Sequence, residues 1–310
     1  MRKVHLISVT EPVIFDLALA IRSDEGYAVS VSGNGLTEEM IARLHEAGCT
    51  CHGDGWFPEK ITNDTHIVIL GASVNKDNPE LIRAKELGLL TQSVPEFIFG
   101  HTKSKTRVVV AGDRGKSGVL AMMAYVLKKY KQRFDYVLTS ALDTLPDRIS
   151  LQEEARIALI EGDESLTSSL SKRFHLEFYR PHIAVITNLM WSEDKDHNSL
   201  EEYLLAYKNF VTSIEREGKL IYFEQDRVLK DLGSGVREDI TSIPYDGHEW
   251  SEGENGLKIL HTRYGDFPVY TPDEYFLYNL NAARLACRQL GVKDADFYQA
   301  VSEYSLSLQK

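Results

Sequence analysis

The chain has 310 residues, of which 43% are apolar and 26% charged, and its net charge is −11. This is the balance of a soluble globular protein long enough for two domains, each with its own core. The acidic surplus argues against a general nucleic-acid binder, which needs a basic face, and no stretch approaches the roughly 20 apolar residues of a membrane span.

The N-terminus, MRKVHLISVTEP, has no small-residue cleavage site and does not read as a signal peptide. Three cysteines, Cys49, Cys51 and Cys287, make no disulfide framework and fit a reducing cytoplasm. The fragment CTCH (49–52) lacks the second cluster that a zinc site requires and reads as an ordinary strand after a helix.

In chain order, KVHLISV (3–9) is a buried-strand run, and Pro12 stands where a helix can start. YAVSVSG (27–33) predicts a second strand, and LTEEMIARLHEAG (36–48) an amphipathic helix closed by glycine. THIVILG (65–71) is a third strand. NPELIRAKELG (78–88) is a helix with Asn78 as N-cap and Pro79 at its first position, and LLTQSV (89–94) a short fourth strand. This alternation predicts a small parallel sheet flanked by helices. The polar HTKSKT (101–106) marks a boundary, giving domains of residues 1–102 and 103–310.

Beyond it the pattern restarts. RVVVAG, FDYVLTSALD, ARIALIEGDE, PHIAVITNL and GKLIYFEQD (218–226) are strand candidates, several of them continuous apolar runs of the kind parallel strands show when both faces are covered. LKILHTRYGDFPVY predicts a hairpin turning at Tyr264–Phe267, and two helices, around 273–291 and 294–307, close the chain.

The junction RVVVAGDRGKSGVLAMMAYVL (107–127) carries the most chemistry. A glycine turn between a parallel strand and a helix aims backbone N–H groups and the positive helix end at one spot. Gly112 and Gly115 let the chain curl around an anion, Lys116 reaches toward β- and γ-phosphates, and the Ser117 hydroxyl suits Mg²⁺. The spacing G-x-x-G-K-S is shorter than the usual eight-residue motif. The competing reading is a helix N-terminus with an exposed lysine. Asp113 adds a negative charge beside the loop, and Arg114 is placed to offset it.

With these residues on the page, the chain resembles the Mur ligases, ATP-dependent enzymes of peptidoglycan assembly. It is most similar to members that act on UDP-N-acetylmuramate. The likeness covers nearly the full length. It rests on GDRGKS (112–117), EGDES (161–165), TNL (187–189), DNPELIRAKELGL (77–89) and NLNAARLACRQLGV (279–292). The resemblance implies an α/β fold, with an N-terminal Rossmann-like parallel-sheet domain followed by a central P-loop-type ATPase domain. It implies ATP and Mg²⁺ as cofactors, and acyl-phosphate formation at a carboxylate followed by attack of an amine.

By the same resemblance Gly112, Asp113, Arg114, Gly115, Lys116 and Ser117 contact ATP phosphates, Ser117 and Glu161 hold Mg²⁺, Lys116 and Glu161 serve catalysis, and Asn279 contacts adenine. Independently, Glu161 ends an apolar strand, where ligand sites of parallel sheets gather, and it can share a hard cation with Ser117 and phosphate oxygens. The alternative for EGDE is a solvated acidic turn, and for Asn279 a polar helix-surface residue.

Four departures qualify this. Thr10 and Glu11 stand where glycines of a pyrophosphate-binding turn are expected, and a carboxylate there repels a pyrophosphate. Ser192 and Glu193 replace an aspartate–histidine pair; Glu193 remains a candidate Mg²⁺ ligand, while His197 is out of register. Tyr275 and Phe276 replace a histidine–asparagine pair and are expected in the core, with stacking on adenine as the alternative. The sequence stops at residue 310, so the family's C-terminal domain is expected to be absent from it, unless a partner protein supplies that domain or the sequence is part of a longer protein.

Three readings follow. One is a cytoplasmic ligase using a cell-wall precursor. The second is a catalytically degenerate ATP-binding paralogue that partners a true ligase. The third is a scaffold that binds no nucleotide.

Overall fold

A computed structural model describes residues 1–22, 26–168, 170–192 and 199–309. The first sheet is built from β1 (Arg2–Ile7), β2 (Tyr27–Ser32), β3 (Thr50–Cys51), β4 (Ile67–Leu70) and β5 (Leu90–Ser93). Helices α1 (Pro12–Arg22), α2 (Glu38–Glu46), α3 (Pro79–Glu86) and α4 (Val94–Thr102) connect or follow these strands. All five strands run parallel in the order β3-β2-β1-β4-β5. The chain leaves β1 toward β2 and later returns on the other side as β4. The carboxyl ends of β1 and β4 therefore flank the point where the strand order reverses.

Local signals explain the helices. Thr37 and Asn78 cap α2 and α3 through their side chains. The helix α4 is absent from the sequence expectation, because VPEFIFG shows no clean period. It forms because the Glu96 carboxylate accepts the Ser93 N–H and O–H, each at 2.7 Å, with Pro95 in the first turn. The stretch 101–106, expected as a loop, is thus helical as far as Thr102.

The second sheet begins with β6 (Thr106–Ala111), which runs into α5 (Lys116–Lys129). It continues with β7 (Phe134–Val137), β8 (Ile149–Ser150) and β9 (Ile157–Glu161), after which β10 (Leu166–Ser168) and β11 (Ser171–Phe174) form a separate hairpin. Next come β12 (Ile183–Ile186), α6 (Leu200–Thr212), β13 (Lys219–Phe223), α7 (Arg227–Ser234) and β14 (Thr241–Tyr245). The order is β14-β13-β12-β6-β9-β7-β8, parallel except at β7–β8. FDYVLTSALD thus contributes only four strand residues, ending at Val137.

The three-stranded antiparallel sheet β15 (Trp250–Glu252), β16 (Lys258–Thr262) and β17 (Gly265–Val269) follows, then α8 (Phe276–Gln289) and α9 (Asp294–Ser307). The β16–β17 hairpin turns at Arg263–Tyr264, earlier than the expected Tyr264–Phe267, because Gly265 at φ 119° already starts the second strand.

Val108, Val109, Val110 and Ala111 are fully buried, as a central parallel strand requires. One apolar cluster joins α1, β1 and β2 to one face of the second sheet and to α6; another packs α5, α8 and α9 on its opposite face. Among the described residues, no helix is long and apolar enough to cross a membrane.

Candidate functional site

The second sheet reverses its strand order between β6 and β12, and the loop Gly112–Gly115 leaves β6 at that crevice. Both glycines are required by geometry. Gly112 has φ 121° and Gly115 φ 88°, conformations that side chains rarely adopt. A Cβ on Gly112 would collide with the Thr187 hydroxyl, and one on Gly115 with the Asn279 carboxamide. The backbone is thus drawn tightly in from both sides.

The TNL segment after β12 braces the loop. The Thr187 hydroxyl donates to the Arg114 carbonyl, and the Arg114 N–H donates to the Asn188 side-chain oxygen at 2.8 Å. The Leu189 N–H in turn donates to Asp226 at 2.9 Å, and Asp226 also caps α7. Thr187 and Asn188 were not singled out as site residues by sequence; TNL stood only as a shared motif, and its bracing role arises from strand neighbours 76 positions apart.

Lys116 folds back so that its ammonium donates to the Gly112 carbonyl at 2.5 Å. Ser117, one residue into α5, lies with its hydroxyl 3.4 Å from Glu161 Oε1. Glu161 is buried at the end of β9, and its other oxygen accepts the Thr139 N–H at 2.9 Å. The two residues expected to share a cation are therefore adjacent, across two neighbouring strands. A protein-only metal cluster of three or more His, Cys, Asp or Glu side chains is not present among the described residues. Mg²⁺ suits this donor set, since it is usually held by one or two carboxylates together with phosphate oxygens and water.

The rest of EGDE is used locally: Asp163 accepts the Ser165 N–H at 2.9 Å, and Glu164 accepts the Tyr207 hydroxyl. Asp113 is half-buried in the loop, and its charge reaches the buried Tyr203. Burial first, then the charges of Glu164 and Asp113, hold the Tyr203 hydroxyl well above its ordinary range, so it stays a neutral phenol. Glu193 and His197 lie outside the described residues; Ser192 is exposed.

Beside the loop is a cavity of about 350 Å³, lined by Arg114, Asn188, Phe223, Tyr275, Tyr278 and Asn279 among others. Asn279 is buried rather than on a helix surface, with its amide nitrogen about 3.0 Å from where a Gly118 Cβ would stand. Phe276 is core, as expected, but Tyr275 is not: it is 39% exposed on the cavity wall. The Arg114 guanidinium lies 5.9 Å from the Tyr275 ring centroid and 3.4 Å from its hydroxyl. A flat ring and an amide facing one small cavity next to a phosphate-type loop are groups that fit a nucleotide base. The residues present therefore fit Mg·ATP. All three cysteines are buried thiols, and Thr50 and Cys51 of CTCH form β3.

Residues 110–287 match the description of the Mur ligase middle domain. The chain is 28% identical to the UDP-N-acetylmuramate–L-alanine ligase of Carboxydothermus hydrogenoformans, covering 98% of this chain and 64% of that protein. Identity to the Streptomyces coelicolor enzyme of the same name is 25%, over 89% of this chain and 60% of that one. The chain thus spans under two thirds of the length of these relatives.

Among solved structures, the fold matches the UDP-N-acetylmuramate:L-alanyl-gamma-D-glutamyl-meso-diaminopimelate ligase of Neisseria meningitides with TM-score 0.82 at 18% identity, covering 97% of this chain and 98% of that one. It also matches the UDP-N-acetylmuramate–alanine ligase of Thermotoga maritima with TM-score 0.71 at 22% identity, covering 98% and 68%. The phosphate-type loop, the glutamate that faces it and the matched middle domain lead to one conclusion: this chain belongs to the Mur ligase family.

Proposed function

We propose that the chain binds Mg·ATP at Gly112–Ser117 and contributes the nucleotide half of an ATP-dependent carboxylate–amine ligation on a cell-wall precursor. The observation that carries this reading is the glycine loop closed by Lys116 and set against Ser117 and Glu161. When bound, Mg·ATP supplies the phosphoryl group that activates a carboxylate.

The chain's own residues prepare the place. The glycine turn 112–115 opens at the start of α5, and the Lys116 ammonium, bonded to the Gly112 carbonyl, is placed to turn toward phosphate oxygens. Ser117 and Glu161 offer oxygens to a hard cation, and Asn279 with Tyr275 faces the base. Residues 1–102 and 103–310 act as two units, the first presenting substrate to the second.

A second reading, an ATP-binding paralogue that has lost ligation, is favoured by one contact: Glu11 fills the crevice of the first sheet with its own carboxylate.

Calorimetric titration with Mg·ATP tests the shared part. Wild type should bind, and Lys116→Ala should lose about 10- to 100-fold in affinity, the worth of a charged hydrogen bond of roughly 1.5–3 kcal/mol. No binding by folded wild type at millimolar Mg·ATP removes both readings. Amine-dependent phosphate release with UDP-N-acetylmuramate-type precursors separates them: release supports the ligase, and ATP binding without release supports the paralogue.

A further inference from the structure

The two sheets each have a point of strand reversal, and at each the chain carries a glycine-containing turn. At β6/β12 the turn is closed by a lysine. At β1/β4 it is closed by an acid. After β4 the chain turns through Gly71, Ala72 and Ser73. The Ala72 N–H donates to Glu11 Oε2 at 2.8 Å, the Ser73 N–H to Oε1 at 2.9 Å, and the Ser73 hydroxyl to Oε1 as well. That hydroxyl also lies 3.3 Å from the Ser8 hydroxyl.

Two further features show that the turn is shaped around this carboxylate. A Cβ on Gly71 would lie 2.5 Å from Glu11 Oε1 and 2.9 Å from the Ser8 Cβ, so no larger residue fits beneath it. Ser8 sits at φ 68°, a left-handed backbone that a serine adopts only where its surroundings fix it, and the Glu11 N–H bonds back to the Ser8 carbonyl at 3.0 Å. Consecutive backbone amides with a hydroxyl, at the crevice of a parallel sheet, make a concavity selective for anions. Here the anion is part of the chain.

We infer that Glu11 is a specificity-determining residue: its carboxylate occupies the anion cradle of the N-terminal sheet and excludes phosphate or diphosphate groups from it. The ligand this sheet takes then presents no phosphate at that place, which distinguishes it from a nucleotide-diphosphate sugar. Oxygens of like charge on one set of donors repel, and the Ala72 and Ser73 donors of this turn are already taken up by Glu11. The inference deepens the reading of the chain as a Mur ligase whose substrate end has diverged. It does not depend on ATP at Lys116.

The test uses inorganic pyrophosphate and uridine diphosphate as probes on the full chain. Because both also suit the loop at 112–117, every arm carries Lys116→Ala, and Mg·ATP binding by the unmutated chain is read separately. In the Lys116→Ala background neither probe should bind below millimolar. Glu11→Gly added to it should gain at least tenfold in affinity for both, and Glu11→Gln, which keeps the shape and removes the charge, should gain less. Thermal melts establish which variants are folded. Affinity equal within twofold with and without Glu11, or no gain in whichever of the two variants folds, overturns the inference. Loss of ATP binding by wild type with a gain in Glu11→Gly would sink the ATP reading and leave this one standing.

Discussion

Individual side chains at the buried centre of the first sheet show how charge is made tolerable there. Glu80 is fully buried beside His5. Burial by itself raises its carboxyl, but hydrogen bonds and charge from His5, with donors from Ser32 and the Phe57 N–H, pull it net below the ordinary 4.5. A depressed carboxylate stabilises the fold above that ordinary value and ceases to as pH falls through the lowered one. Below about pH 4.5 the protein should therefore lose stability, and Glu80→Gln should flatten that acid limb while costing stability at neutral pH; melting temperatures across pH 2.5–7 check it.

Near the second sheet, Gly115→Ala should cost about 1–3 kcal/mol through its left-handed backbone and its clash with Asn279. It should also weaken Mg·ATP binding. A melt and titration indistinguishable from wild type would contradict the account of that loop.

The residues of the proposed phosphate site were legible because their signal is local: Gly112, Gly115, Lys116 and Ser117 sit within six residues at the junction of an apolar strand and an apolar helix. Glu161 was legible as the acidic end of a strand. Tyr275 on the cavity wall was not, since its neighbour Arg114 lies 161 positions away and nothing in the run DEYF separates a wall residue from a core one. The carboxylate cradle at Ala72 and Ser73 was also hidden. Sequence placed Glu11 as a charge that repels; only the fold supplies the amides that hold it.

At the scale of elements, strands and their end residues were the readable part, because continuous apolar runs map directly onto buried parallel strands. The helix α4 was missed since its start rests on the Ser93–Glu96 exchange rather than on periodicity. One element joins its neighbour through a single acid. Asp226 caps α7 by accepting from Val228 and Leu229 at 2.9 and 3.1 Å, and takes the Leu189 N–H with its other oxygen. Asp226→Ala should cost about 1–2 kcal/mol of stability as a lost cap. Because Leu189 follows the Thr187–Asn188 brace, it should also reduce ATP affinity severalfold; a cap loss without change in affinity would mean that the brace stands by itself.

For the molecule as a whole, one buried cation adds to the apolar join between the sheets. Arg107, on β6, donates to the carbonyls of Thr102, Lys103, Tyr179 and Arg180 and pairs with Glu215 at 3.0 Å. It thereby ties the end of α4, the first strand of the second sheet and the segment before β12. Its backbone N–H donates to His182 Nδ1 at 3.1 Å. Burial, followed by the nearby Arg107 charge, lowers the His182 imidazole below its ordinary 6.5, against the pull of Glu215. A histidine held low stabilises the fold above 6.5 and is lost as pH falls, since protonation removes the acceptor. Global stability should therefore decline on going from pH 7.5 to 5.5, with a smaller decline in His182→Gln; equal slopes in urea unfolding would refute the assignment.

The lysine that bends back over the glycine turn has an energetic corollary. A nucleotide bound as proposed would meet an ammonium already bonded to a main-chain oxygen. Such association would swap one partner of the lysine for another rather than freeze a wandering side chain, so less entropy would be spent on ordering it.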